Sequence, residues 1–251
     1  MHSPENDLTV ALLIGAGVLL LFMVFFMISI IGHQRKKAAL DISRLKSDIL
    51  LLEKERTRIA YDIHDEIGPV LSLCKMKLQM IGTVGHSDQV TIIETSNGID
   101  QVMEKIRGIS KNLLPRTLEK QGLREALLEL AEGAASSPGL KLHFDKHSPI
   151  QLPLETALHL YRIAQEILHN SIKHSGAGSL RITLSKEDNH ISLYIADDGK
   201  GFDRDTVLNR SGGLGLRNII SRADLLGATV ELETSPGNGT KYLISYPLTN
   251  L

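Results

Sequence analysis

The sequence predicts an α+β protein: an N-terminal transmembrane helix, a helical hairpin that dimerises into a four-helix bundle, and a C-terminal α/β two-layer sandwich. Three observations predict it. An uncharged apolar run fills Leu8–Ile31, long enough as a helix to cross a hydrocarbon core of ~30 Å. Apolar residues then recur at alternating spacings of three and four, through a heptad run and two further amphipathic segments. Beyond about residue 120, helical periods mix with short strands of period two and glycine-rich turns.

The totals narrow the function classes. The chain has 251 residues and a net charge of −1, so no basic excess points to nucleic acid as a partner. Aromatics make up 4% and Trp is absent, which leaves no platform for stacking bases. Cys74 is the single cysteine, so no intrachain disulfide forms, and a reducing compartment fits the soluble part.

Each element follows in order. Glu5 and Asp7 precede the apolar run, and Arg35, Lys36 and Lys37 follow it. The positive-inside rule then puts the C-terminal side in the cytoplasm, as a single-pass protein of the cytoplasmic membrane. A cleaved signal peptide would carry its positive charge first. Residues 1–7 are expected as a short extracytoplasmic tail, too short to bind a ligand, and 8–32 as the membrane helix. Residues 33–57 read as a coiled coil. Ile42, Leu45, Ile49, Leu52, Arg56, Ile59 and Ile63 form an a/d seam interrupted at Arg56, with charged residues between. A parallel dimer is favoured; the alternative is one amphipathic helix lying on its own domain.

Residues 58–119 read as the hairpin. The stretch YDIHDEIGPV (61–70) has a helical pattern, yet Gly68-Pro69 should break a helix. The pattern resumes from Leu71 to Ile81. GTVGHSD (82–88) reads as a turn with Asp88 as a helix cap, and a second helix runs from Ile92 to Leu113, ending near Pro115. Two antiparallel helices cannot bury a full core, so two copies are expected to form a four-helix bundle.

Residues 120–251 form the last domain. A helix is expected over Leu123–Ala131, a linker at 133–139 (GAASSPG) and a strand at Lys141–Phe144. A helix from Leu154 to His174 comes next. Strands follow around Leu180–Leu184 and Ile191–Ile195, then a glycine-punctuated loop (198–213) and a helix from Leu214 to Leu226. Strands holding Val230 and Leu232, then Tyr242, Ile244 and Tyr246, flank the turn SPGNG (235–239).

Four motifs carry chemistry. In DDGKGF (197–202), Asp197 ends a strand, and Gly199 and Gly201 let backbone approach a ligand. In SGGLGLRN (211–218), Gly213 and Gly215 open a helix, whose free N–H groups suit an anion. In QEILHNSIKH (165–174), Glu166 and Asn170 share a helix face, with Lys173 and His174 on the next turn. An acid and an amide oxygen suit Mg²⁺. PGNGT (236–240) is a glycine turn ending in the Thr240 hydroxyl. Each alone is weak, since such loops and polar faces are common.

Together and in this order, the four motifs resemble the ATP-binding domain of the GHKL (Bergerat) superfamily, which includes histidine kinases and gyrase-type ATPases. The resemblance implies that Asp197 hydrogen-bonds the adenine amino group and that Asn170, with Glu166 as a further candidate, binds Mg²⁺. It also implies a lid at roughly 202–212 over the phosphates. ERTRIAYDIHDEIGPVLS (55–72) resembles the phosphoacceptor helix of sensor histidine kinases that pair with NarL/LuxR-type response regulators. LLPRTLEKQGLREAL (113–127) resembles their passage into the ATP domain. The resemblance covers about residues 50–250. It implies that ATP phosphorylates His64, with Asp65 as proton partner, and that the group passes to an aspartate of a cytoplasmic response regulator.

The residues around His64 agree. Ala60 and Gly68 stand four residues to either side, which leaves the imidazole open, and His64 lies beside the seam residue Ile63. Catalysis is expected mainly from positioning and from charge neutralisation by Mg²⁺, Lys173 and backbone N–H groups. Many relatives carry a phosphatase glutamine where this chain has Pro69, so the segment supports phosphorylation more strongly than dephosphorylation. Gly68-Pro69 is expected as a kink across which the seam and the His64 turn shift. The signal is expected through the membrane helix or a membrane partner. The alternatives are a non-catalytic ATP-binding scaffold and a GHKL ATPase without a phosphohistidine.

Overall fold

A computed structural model describes residues 4–81, 86–135, 141–145, 150–187, 189–204, 206 and 213–248. At 4–14, 16, 18, 35, 38, 39, 86–88, 135, 142, 144 and 145 it describes the backbone alone. Two compact units result, Met1–Asp48 and Ile49–Leu251.

Helix α1 spans Pro4–Asp62. In the first unit its apolar side chains are exposed on every face: Leu19, Phe22 and Phe25 each show about 70% of their surface. Among the described residues no helix is long and apolar enough to cross a membrane. Much of the expected span, the side chains of 8–14, 16 and 18, lies outside those residues.

The helix does not break at Pro69. It passes into a π-helical turn, Ile63–Ile67, and then into α2, Gly68–Gln79. Pro69 has no N–H and its ring crowds the carbonyl of Asp65. The chain answers by widening: the Gly68 N–H bonds to the Ile63 carbonyl, five residues back. The expected break is thus a change of helix type in the turn that carries His64.

Helix α3, His86–Leu113, begins before Asp88, so Asp88 lies in its first turn and is not its cap; residues 82–85 of the expected turn lie outside the described residues. Lys75 Nζ bridges Asp100 at 2.6 and 2.7 Å and ties α2 to α3. Leu73, Met76, Val102 and Ile109 of this hairpin stay exposed. Pro115, extended at ψ 116°, starts a short helix that the periodicity did not announce, α4, Arg116–Gln121. Gly122, at φ 92°, ends it. Helix α5, Leu123–Ala135, runs past Ala131 and absorbs the start of the expected linker. Residues 136–140 lie outside the described residues.

The C-terminal domain is a five-stranded sheet with helices on one face. The strands are β1 (Lys141–Asp145), β2 (Ser179–Glu187), β3 (His190–Asp197), β4 (Thr229–Thr234) and β5 (Thr240–Pro247), in the order β1-β2-β3-β5-β4. Among the described residues, only β1 and β2 pair in parallel. Leu180, Ile182 and Leu184 alternate inward on β2, as do Ile191, Leu193 and Ile195 on β3. They pack under α5, α6 (Leu154–Asn170) and α7 (Leu214–Leu226). Leu127, Ile163, Ile167 and Ile219 of those helices are essentially fully buried.

The heptad run splits its faces. Ile49, Glu53 and Ala60 are buried against the chain's own domain, while Leu52 of the seam is 57% exposed. The alternative of a helix lying on its own domain therefore holds for one face. Glu53 anchors it: its carboxylate meets Arg162 of α6 at 3.2 Å and Arg222 of α7 at 2.7 Å. Arg162 also donates to the Asn112 and Leu113 carbonyls at 3.0 and 2.5 Å, so the end of α3 joins the same network.

Candidate functional site

Strand pairing assembles the first site. Asp197, last on β3, pairs with Thr240, first on β5. Directly opposed residues share a face, so carboxylate and hydroxyl stand side by side at one end of the sheet. Helix α6 crosses above and continues through a second π-helical turn, Ser171–Ser175, to Gly176 in the left-handed region. That turn brings Ser171 Oγ within 2.7 Å of Asp197 Oδ2. The Gly199 N–H donates to Oδ1 at 3.0 Å. Both carboxylate oxygens are thus held.

Close backbone approach explains the glycines. Gly201 has φ 58°, and a Cβ there would overlap the Ser235 carbonyl oxygen. A Cβ on Gly199 would stand 2.5 Å from the Ser175 Cβ. At Gly215 it would overlap Glu166 Oε1, so this glycine lets the first turn of α7 rest on Glu166 and Asn170. Glu166 and Asn170 are themselves joined, Nδ2 to Oε1 at 3.4 Å.

These elements enclose a cavity of about 240 Å³. Ile167, Phe202 and Leu216 give it apolar walls, and Asp197 and Asn170 supply polar groups. Of the expected residues, Asn170, His174, Asp197, Gly201, Gly213, Gly215 and Thr240 line it. Gly199 and Glu166 stand just behind the wall. Lys173 is exposed and does not line it. A π turn has more residues per turn than an α-helix, so His174 stays toward the cavity and Lys173 turns out. Most of the expected lid, 205 and 207–212, lies outside the described residues.

Sequence reasoning missed Ser171, Ser175 and Tyr242. The sequence marks Tyr242 only as a residue of the last strand. It pairs with Ile195, one step of the same face below Asp197. Burial, and then the charges of Asp197 and Glu166, push its hydroxyl well above the usual tyrosine range, so Tyr242 stays a neutral donor in the cavity floor.

A purine nucleotide with Mg²⁺ fits this donor set. The volume falls just under the roughly 300–1,000 Å³ that encloses a whole drug-sized ligand, a size that suits the base of a nucleotide rather than the whole molecule. Apolar walls with one fixed carboxylate suit a flat ring bearing an exocyclic amine. Glu166 and Asn170 lie toward the N-terminus of α7, where anionic groups bind. One carboxylate and one amide suit Mg²⁺, which takes its other ligands from water and phosphate.

The second site is the His64 turn. His64 is exposed and lines a groove of about 830 Å³ between the hairpin and α4, with Asp65, Pro69, Arg107 and Arg116. A Cβ on Gly68 would meet open space, so the clearing around His64 does not depend on that glycine. Asp65 is exposed beside His64, and among the described residues no hydrogen bond joins the two. The partner of the imidazole is Arg116 of α4, whose guanidinium bonds to Nε2. The expected residues do not include it.

Comparison with known proteins matches the two stretches of the chain that hold these sites. A family model described as "Histidine kinase-, DNA gyrase B-, and HSP90-like ATPase" covers residues 155–250. A second, described as "Histidine kinase", covers residues 55–118. The sensor histidine kinase LiaS of Bacillus subtilis is 29% identical over 205 residues, 79% of this chain and 55% of that protein. An uncharacterized sensor-like histidine kinase of Chloroflexus aurantiacus is 27% identical over 232 residues, 88% of this chain and 39% of that protein. The chain thus spans about half, or less, of these relatives' length. Among solved structures, the histidine kinase domain of the Erythrobacter litoralis blue-light activated histidine kinase aligns with TM-score 0.49 and 19% identity. That alignment covers 72% of this chain and 97% of that one.

Proposed function

The chain belongs to the histidine kinases, and from that premise we propose that it phosphorylates its own His64 from ATP and passes the group to a response regulator. One observation carries the reading. A single chain holds a glycine-walled cavity ending in a fixed carboxylate and, apart from it, an exposed histidine on a helical hairpin. The groove at His64 and the cavity at Asp197 share no lining residue.

In this reading Asp197 receives the adenine amino group, supported by Ser171 and the Gly199 N–H. Gly199, Gly201, Gly213, Gly215, Thr240 and His174 shape the nucleotide's surroundings. Asn170, with Glu166, holds Mg²⁺. The metal, when bound, neutralises phosphate charge. His64 uses a ring lone pair to form the N–P bond; the bond from the γ-phosphorus to the bridging oxygen breaks, and ADP keeps that electron pair. Asp65 takes or shares the proton on the other ring nitrogen. Lys173, exposed beside the cavity, acts on phosphate only if the chain around it moves.

The domain reading is a tail at 1–7, a membrane anchor at 8–32, a signalling helix at 33–57, a phosphoacceptor domain at 58–119 and an ATP-binding domain at 120–251. Exposed apolar side chains on every face near residues 19–31 support the anchor. Exposed Leu52, Met76 and Ile109 support a homodimer through the seam and hairpin. The regulator is expected to be a cytoplasmic NarL/LuxR-type protein, and a membrane partner is a candidate source of the signal.

The test is labelling of the full chain in membrane vesicles with γ-labelled ATP. Wild type should gain acid-labile, alkali-stable label, and Asp197→Asn should not. ATP hydrolysis without protein label would favour a plain ATPase. No nucleotide binding would sink the reading.

A further inference from the structure

We propose that Arg116 is a positioning residue for His64: it fixes the ring's tautomer and leaves the lone pair on Nε2. The inference rests on the phosphoacceptor reading and deepens it. Arg116 bonds to Nε2. A guanidinium keeps its protons in a protein and only donates. Nε2 must therefore be the acceptor, which places the ring proton on Nδ1. A nucleophile needs that form, since a nitrogen holding a proton has no lone pair to give; the Arg116 N–H must release that lone pair as the γ-phosphorus approaches, before the N–P bond forms.

The contact is held from both sides. On the Arg116 side, α4 and the residues just before it are seated in the core through Leu118 and Leu114, 2% and 4% exposed. The extended Pro115 puts Arg116 at the first helical position. On the His64 side, Tyr61 Oη donates to Glu119 Oε1 of α4 at 2.8 Å, which pins the preceding residues to the same short helix. The π-helical turn around His64 is thus clamped to α4 by two bonds, Tyr61 to Glu119 and Arg116 to His64. Asp65 lines the same pocket as His64 and Arg116, so a carboxylate is at hand for the ring proton.

The same guanidinium serves the product. Once Nε2 carries the phosphoryl group, the lone pair is gone and the Arg116 N–H groups have phosphate oxygens to bond in its place. Arginine matches phosphate with a planar, bidentate fork. Lysine would keep the charge but not the fork.

The test uses the full chain with ¹⁵N-labelled histidine, with His64→Gln assigning the His64 signals. Without ATP, wild type should show the Nδ1–H tautomer, and Arg116→Ala should show both neutral forms. With ATP, Arg116→Ala should lose at least tenfold in autophosphorylation kcat. Its KM for ATP should stay within about twofold, because Arg116 does not line the nucleotide cavity. Arg116→Lys should recover part of the rate. The inference is overturned if Arg116→Ala keeps the Nδ1–H signature. It is equally overturned if the signature is lost and the rate stays within twofold of wild type. A shifted KM would mark a structural defect and also count against it. The tautomer measurement needs no ATP, so its failure is distinct from a failure of the kinase reading.

Discussion

Single residues here act by fit, and the glycines show it best. A Cβ at Gly201 would overlap a backbone oxygen that cannot swing away, and φ is positive as well. We predict that Gly201→Ala costs about 1–3 kcal/mol of stability, read by equilibrium denaturation, and weakens nucleotide binding with it. Gly68→Ala, whose Cβ meets open space, should leave autophosphorylation within twofold. These contrasts were partly legible in the sequence. Gly199, Gly201, Gly213 and Gly215 stood out because they punctuate a strand end and a helix start. Ser171 did not, because it lies one residue past Asn170, about 100° around an α-helix. Arg116 was invisible for a related reason. It lies 52 residues from its partner, on a helix of six residues that carries no periodic signal.

Elements are joined here by buried charge, and magnitudes decide which joints matter. The Arg107–Glu104 pair has both side chains about two-thirds exposed. Pairs of that kind contribute about 0–1 kcal/mol, so Arg107→Ala should change little. Glu53 is different: it is buried between Arg162 and Arg222. Removing it leaves two cations without their partner in the interior. Glu53→Ala should therefore destabilise the chain by about 3–5 kcal/mol, seen as a lower denaturation midpoint. Sequence period placed the long helices, because α-helical spacing is local. It could not say that Glu53 faces inward, because the period registers apolar residues and Glu53 is a charge. Nor did it foresee that Pro69 would be absorbed by a wider turn. A proline forbids one hydrogen bond, and the choice between breaking and bulging rests on packing elsewhere.

The whole molecule has a pH signature of its own. His159 of α6 is 3% exposed and lies beside Arg222, whose guanidinium approaches Nδ1 at 3.3 Å. Burial first, and the Arg222 charge second, hold its pKa below the ordinary 6.5. The unfolded chain takes up a proton near pH 6.5 that the folded chain refuses, so stability falls as pH drops through that value. Thermal midpoints should decline from pH 7 toward pH 5.5, and His159→Gln should flatten the decline. The two-layer sheet domain and the helical hairpin were readable at this scale, since strand alternation and glycine turns repeat along the chain. The docking of α1 on that domain through Glu53 was not, because it depends on contacts 109 and 169 residues apart. The central claim is that one chain carries both an ATP cavity and its own phosphoacceptor. Tandem mass spectrometry of the full chain after incubation with ATP and Mg²⁺, handled at alkaline pH, tests it most directly. The phosphoryl group should map to His64 and be absent from His64→Gln. An equally phosphorylated His64→Gln, or a wild type that binds ATP and carries no phosphohistidine, would contradict it.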